Sequence, residues 1–166
     1  KCRKLKREKG LDLVVIDYLG LMHSDTKTDS RQNEVADISR NLKLLAKEIE
    51  VPVLSLCQLN RSVESRDDGK PGKPVLSDLR DSGSIEQDAD MVWFIHRDMS
   101  AKEIAEDKTG NYTAELIIAK FRNGQPGSVY IGWDGSRTSF YNLDRDANEQ
   151  SLVNQFEQNQ EMKKAR

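Results

Sequence analysis

Residues 11–16 read Leu-Asp-Leu-Val-Val-Ile, a nearly unbroken apolar run that stops on Asp17. A strand that is apolar at almost every position needs cover on both faces, and parallel sheets provide it. Parallel strands require long crossover connections, usually helical, so this run points to an α/β chain. The next segment supplies the crossover. Val35, Ile38, Leu42, Leu45 and Ile49 recur at spacings of three and four and make one apolar stripe on a helix over 31–50. Asp29 or Ser30 is placed to cap its start, and Pro52 follows its end. Val53–Cys57 is then a second buried strand.

The flanking chain fits the same class. Lys1–Lys9 is basic and stops at Gly10, as the end of a helix does. Residues 60–75 are rich in Arg, Asp, Gly, Lys and Pro and read as a loop. Ser84-Ile85-Glu86-Gln87 has the form of a capping box opening a short helix. Met91–Ile95 is a third buried strand, Ser100 with Glu103 caps a short helix over 101–107, and Thr113–Ala119 is a fourth strand. Val129–Trp133 and Thr138–Tyr141 flank Asp134-Gly135, a hairpin signal. The expected architecture is one α/β domain over 1–145, mainly a parallel sheet closed by a C-terminal antiparallel hairpin, with a polar tail over 146–166.

Charge and cysteine content narrow the function. A net charge of −2 excludes a protein that grips nucleic acid by bulk charge, so any such contact rests on a few placed residues or on several copies pooling their basic groups. Cys2 and Cys57 match neither a metal-ligand spacing nor a disulfide framework. Cys57 reads as a buried thiol in a reducing, cytoplasmic setting. No apolar run reaches membrane-spanning length. The chain opens on Lys1 rather than Met, which leads us to expect an upstream segment.

Four places carry chemistry. Asp17 ends a buried strand, where open α/β sheets put their ligands, and a carboxylate there can hold the water shell of Mg2+ beside a nucleotide. The same residue type also caps turns. Gln58 leaves the second strand, where an amide can sense a phosphate, or be an ordinary polar exit. Lys120 and Arg122 sit two apart and share one face of a strand end. They suit either a γ-phosphate grip delivered to a neighbouring subunit or a solvated basic edge. Arg61, Arg66, Lys70, Lys73 and Arg80 stud or flank the long loop, which suits phosphate contact or plain solvation. His23 and His96 receive no metal or catalytic role, and Trp93 and Trp133 read as packing.

Together these segments resemble one family. Val15-Ile16-Asp17-Tyr18-Leu19 with Leu21-Met22 is similar to the Walker B motif of DnaB-type replicative DNA helicases. Ser55-Leu56-Cys57-Gln58-Leu59-Asn60-Arg61 resembles that family's sensor motif. Ser77–Asp90 (Ser-Asp-Leu-Arg-Asp-Ser-Gly-Ser-Ile-Glu-Gln-Asp-Ala-Asp) resembles its long DNA-binding motif, and Lys120-Phe121-Arg122-Asn123-Gly124 its arginine-finger segment. The likeness runs from about residue 10 to residue 141. Three departures stand out: Gly20 where the family usually has Gln, Asp81 where it usually has Glu, and Phe121 at a position often polar in relatives.

The resemblance implies part of a RecA-like, P-loop NTPase domain that uses ATP and Mg2+. It implies that Asp17 holds magnesium through water and that Gln58 couples nucleotide state to DNA contacts. Arg80, Asp81 and Gly83 would lie near the DNA backbone. Lys120, Phe121 and Arg122 would lie at the γ-phosphate of the adjacent subunit. It further implies a homohexamer on single-stranded DNA, with a primase and a helicase loader as partners. No G-x-x-x-x-G-K-[ST] occurs in these 166 residues, so the chain alone is expected not to hydrolyse ATP. Two other readings stay open: a RadA-like recombination ATPase, and a non-catalytic module that regulates helicase rings.

Overall fold

The computed structural model describes residues 1–24, 30–60, 63, 72–79, 83–99, 106 and 110–143. It has two compact units, one of 1–61 with 75–90 and the other of 62–74 with 91–166. The polar tail and nearly all of the expected helix over 101–107 lie outside the described residues.

The first unit opens with helix α1 (Cys2–Lys9), which ends at Gly10 with φ 82, a positive φ that a glycine adopts without steric cost. Strand β1 (Val14–Ile16) pairs in parallel with β2 (Val53–Ser55), in the register Val14 opposite Val53 and Ile16 opposite Ser55. Helix α2 (Arg31–Ile49) is the crossover between them. Ser30 caps it by accepting the Asn33 N–H at 3.2 Å, so of the two capping candidates Ser30 does the work. Glu50 closes it in the left-handed conformation. Val35 and Ile38 of the apolar stripe bury against Leu19, with Met22, Leu42 and Ile85 packed around them.

Helix α3 (Gly83–Asp88) lies against α2: the Ser39 hydroxyl donates to Asp88 at 2.9 Å, and Lys43 pairs with Asp90. Ser84 falls inside α3, and its buried Oγ has no partner among the described residues. Its position inside the helix corrects the capping-box reading.

The second unit is an antiparallel meander, β3 (Met91–His96), β4 (Tyr112–Phe121), β5 (Gly127–Asp134) and β6 (Ser139–Asn142). The α/β class holds, with the parallel part in β1–β2. The antiparallel part exceeds the expected closing hairpin, because β3 and β4 join it. Two expectations about burial change. β3 alternates rather than being covered on both faces: Val92, Phe94 and His96 are buried, whereas Trp93 is 51% and Ile95 58% exposed. In the first unit Leu13, Val15 and Leu54 are likewise exposed. Trp133 does pack, stacked on Tyr112 at 5.8 Å and edge-on to Phe140 at 4.7 Å.

Candidate functional site

Asp17 and Gln58 come together at one end of the parallel pair. The ladder continues past the strands through Leu56, whose N–H donates to the Ile16 carbonyl and whose carbonyl accepts the Leu19 N–H, both at 2.9 Å. Asp17 and Tyr18 are thus bracketed by two backbone bonds to a single residue. Asp17 is exposed at the carboxyl end of β1, where the sequence put it. Gln58 is exposed three residues beyond β2. Between them Cys57 is exposed rather than buried, a correction. Its thiol donates to the Gln58 carbonyl at 3.5 Å, and surrounding protein pushes its pKa up.

The chain after Gln58 is joined to the segment that leads into Arg80. Leu59 bridges Leu79 in antiparallel fashion, and the Asn60 N–H donates to the Asp78 carbonyl at 2.9 Å. Asp78 is only 3% exposed, and its carboxylate accepts the Val75 N–H at 2.8 Å, fixing the 3-10 turn Leu76–Asp78. Arg80 and Asp81 lie outside the described residues. Gly83 is exposed at the start of α3, with open space where a Cβ would stand.

Lys120 and Phe121 close β4, and Arg122 begins the turn after it. They belong to the second unit. The register slips just before them: Trp93 faces Ile118 but Val92 faces Lys120, so Ala119 is the extra residue of a bulge. Bulges re-aim the strand that carries them. Beyond the bulge Lys120 stands opposite Val92, and Phe121 opposite Met91. Of the loop cations, Lys73 is described, and it bonds the buried Glu115 carboxylate at 2.8 Å. Partial burial lowers the Lys73 pKa, but the Glu115 bond outweighs this and leaves it raised.

Two residues at this end of the first unit escaped the sequence reading. The Arg31 guanidinium donates to the Gly20 carbonyl at 2.6 Å and to the Met22 carbonyl at 3.1 Å, and pairs with Glu34. Glu34 in turn accepts the Ser24 N–H at 3.0 Å and stands 3.3 Å from His23 Nδ1. Arg31, the Ser24 N–H and His23 hold the Glu34 carboxyl below the usual carboxylate range despite partial burial. A signal was present: an arginine in the first turn of a helix opposes the helix dipole, so it needs another reason to be there.

Among the described residues no three of His, Cys, Asp and Glu gather into a metal cage. One exposed carboxylate at a strand end suits a magnesium ion held mostly by water and phosphate oxygens. No helix among the described residues is long and apolar enough to cross a membrane.

Comparison with known proteins gives a consistent result. The family model described as DnaB-like helicase C terminal domain matches residues 1–142. The replicative DNA helicase DnaB of Geobacillus stearothermophilus is 49% identical over 146 residues, 87% of this chain and 31% of that protein. That of Leifsonia xyli is 51% identical over 143 residues, 86% of this chain and 30% of that protein. The chain therefore spans about a third of the length of these relatives. Among solved structures, one described as an ATPase domain superposes with a TM-score of 0.74 at 42% identity, covering 86% of this chain and 49% of that one. A DnaB-like replicative helicase, solved in a study of its interactions with primase, gives the same score and identity over 86% of this chain and 34% of that one.

Proposed function

The chain belongs to the DnaB-like helicase C-terminal domain family, and from that premise we propose that it is the C-terminal part of a replicative helicase motor. The complete motor is a homohexameric ring that spends ATP to move 5′ to 3′ on single-stranded DNA and unwind duplex at the fork. It works in the cytoplasm with a primase and a helicase loader.

Asp17 would hold magnesium through its water shell, and the ion would supply charge neutralisation for the nucleotide phosphates. Gln58 reads the state of the γ-phosphate. Lys120, Phe121 and Arg122 reach the nucleotide of the adjacent subunit, where Arg122 serves as the finger. Arg80, Asp81 and Gly83 lie along the DNA backbone, where backbone amides contact phosphates without reading sequence. Residues outside these 166 supply the phosphate-binding loop, so this chain alone shows no ATPase activity. A rate that vanishes in Asp17→Ala would overturn that expectation.

The observation that most supports this reading is the Leu59–Leu79 bridge with the Asn60–Asp78 bond. It joins the strand end that carries Gln58 to the turn that feeds Arg80, so a shift at one is mechanically felt at the other. The decisive experiment is Arg122→Ala in the full-length protein. Turnover falls roughly a thousandfold or more while nucleotide affinity is kept, the scale for a finger supplied in trans. Equal loss of binding and turnover would count against the trans role.

A further inference from the structure

We propose that Arg31 and Glu34 are positioning residues for Asp17: they clamp the chain that leaves β1 and so fix where the Asp17 carboxylate stands. This rests on the magnesium role given to Asp17 above. On its strand side Asp17 is held by the Leu56 bonds to Ile16 and Leu19. Beyond Leu19 the backbone makes a 3-10 turn over Leu19–Leu21, in which the Leu21 N–H donates to the Tyr18 carbonyl and the Met22 N–H to the Leu19 carbonyl. The Gly20 and Met22 carbonyls receive no bond inside the turn, and the Arg31 fork supplies a donor to each. A planar guanidinium can bridge two carbonyls and a carboxylate together, whereas an ammonium is a single point charge.

Glu34 completes the clamp by taking the Ser24 N–H. Both side chains come from the first turns of α2, whose Val35 and Ile38 bury Leu19. One helix end therefore holds the segment by its core residue and by three backbone groups. Arg31 and the Ser24 N–H hold the Glu34 carboxyl below the usual carboxylate range, which favours its charged, bond-accepting form. Gly20 adds a feature of this chain: a Cβ there would stand 2.5 Å from the Tyr18 ring, so its absence lets that ring fold back over the turn.

The test uses the full-length protein with Arg31→Ala, the milder Arg31→Lys, Glu34→Gln and, as reference, Asp17→Asn. Two readouts are taken: amide hydrogen exchange over 18–24, and the magnesium concentration that half-saturates equilibrium binding of ADP. Exchange at 18–24 should quicken roughly tenfold in Arg31→Ala and Glu34→Gln, the scale of one lost charge-assisted hydrogen bond, while the amides of α2 beyond Ile38 stay as in wild type. The magnesium midpoint should rise about tenfold or more, as when an outer partner of a metal ligand is removed. Arg31→Lys should fall between wild type and Arg31→Ala. Wild-type magnesium midpoints in the clamp variants beside a shifted one in Asp17→Asn would overturn the clamp alone. An unshifted midpoint in Asp17→Asn would overturn the role of Asp17 and the clamp with it. Quickened exchange along all of α2 would also overturn it, since the pair would then be mere helix support.

Discussion

The β1–β2 pair is three residues deep and leaves Leu13, Val15 and Leu54 exposed, whereas the β3–β4–β5–β6 meander runs ten residues along β4 and pairs each strand with its neighbour in sequence. A parallel pair cannot be closed by a tight turn, so it relies on its crossover helix. The segment that leaves β1 is accordingly tied to α2, through Leu19 in the core and through Arg31 and Glu34 on the backbone. The meander pairs each strand with its neighbour in sequence, and the end of β4 carries a single bulge. In one region a strand end is tied down by side chains from a helix, and in the other it is set by one extra residue in the ladder.

Core truncation should give the largest effects and tests whether the two regions are independent. Phe94→Ala should cost about 3–5 kcal/mol and Ile38→Ala about 2–5 kcal/mol, as large-to-small changes at buried sites do. Both tryptophans, Trp93 and Trp133, lie in the second unit, and helices α1, α2 and α3 all lie in the first. Tryptophan fluorescence therefore follows one unit, and helical circular dichroism mainly the other. If Phe94→Ala lowers only the fluorescence midpoint and Ile38→Ala only the dichroism midpoint, the comparison stands. If each variant moves both, the units unfold as one.

A smaller effect is expected at the β5–β6 turn. A Cβ on Gly135 would lie 2.5 Å from the Gly110 carbonyl oxygen and 2.9 Å from its Cα, backbone atoms that cannot swing aside. Gly135→Ala should cost about 1–3 kcal/mol, the range for overpacking, and should appear in the fluorescence transition. An unchanged midpoint would mean that the turn yields more readily than the strands around it.

The smallest effect is in acid. Glu34 is held low by Arg31 and Ser24, Glu48 by Arg3, and Asp134 by the Ser136 hydroxyl. A carboxylate whose folded pKa is depressed stabilises above its unfolded pKa, about 4.3 for Glu and 3.9 for Asp, and loses this as pH falls through the folded value. Both units should hold their full contribution at neutral pH and weaken in acid. In denaturant titrations Glu34→Gln should fall below wild type at neutral pH, with the gap closing below roughly pH 4. A gap that persists in strong acid would mean that Glu34 acts by shape rather than charge.

Much of this was legible in the residues. The apolar run ending on Asp17, the α2 stripe and the Ser30 cap depend on local pattern, and local pattern is what a sequence displays. The exits of Asp17 and Gln58 at one strand end followed from the parallel arrangement. The pairing of β3 with β4 was hidden, because strand direction is chosen between segments far apart in the chain. So was the exposure of Trp93 and Ile95, since the run Met91–Ile95 is apolar at every position while only alternate ones are buried. The Arg31 bonds join residues eleven and nine apart, a spacing that no helical or strand period reveals.

The bulge at Ala119 has a consequence for how this stretch can change over generations. Ala119 is the residue of β4 that the ladder to β3 skips. Losing its codon would let Ile118 and Lys120 follow one another opposite Trp93 and Val92, so each of those pairings would survive. What would go is the bend that the unpaired residue puts into the strand, and with it the direction in which Lys120 and Arg122 leave the sheet. A straight strand end and a re-aimed one therefore lie a single codon apart, and a lineage could cross between them without first unpicking the sheet.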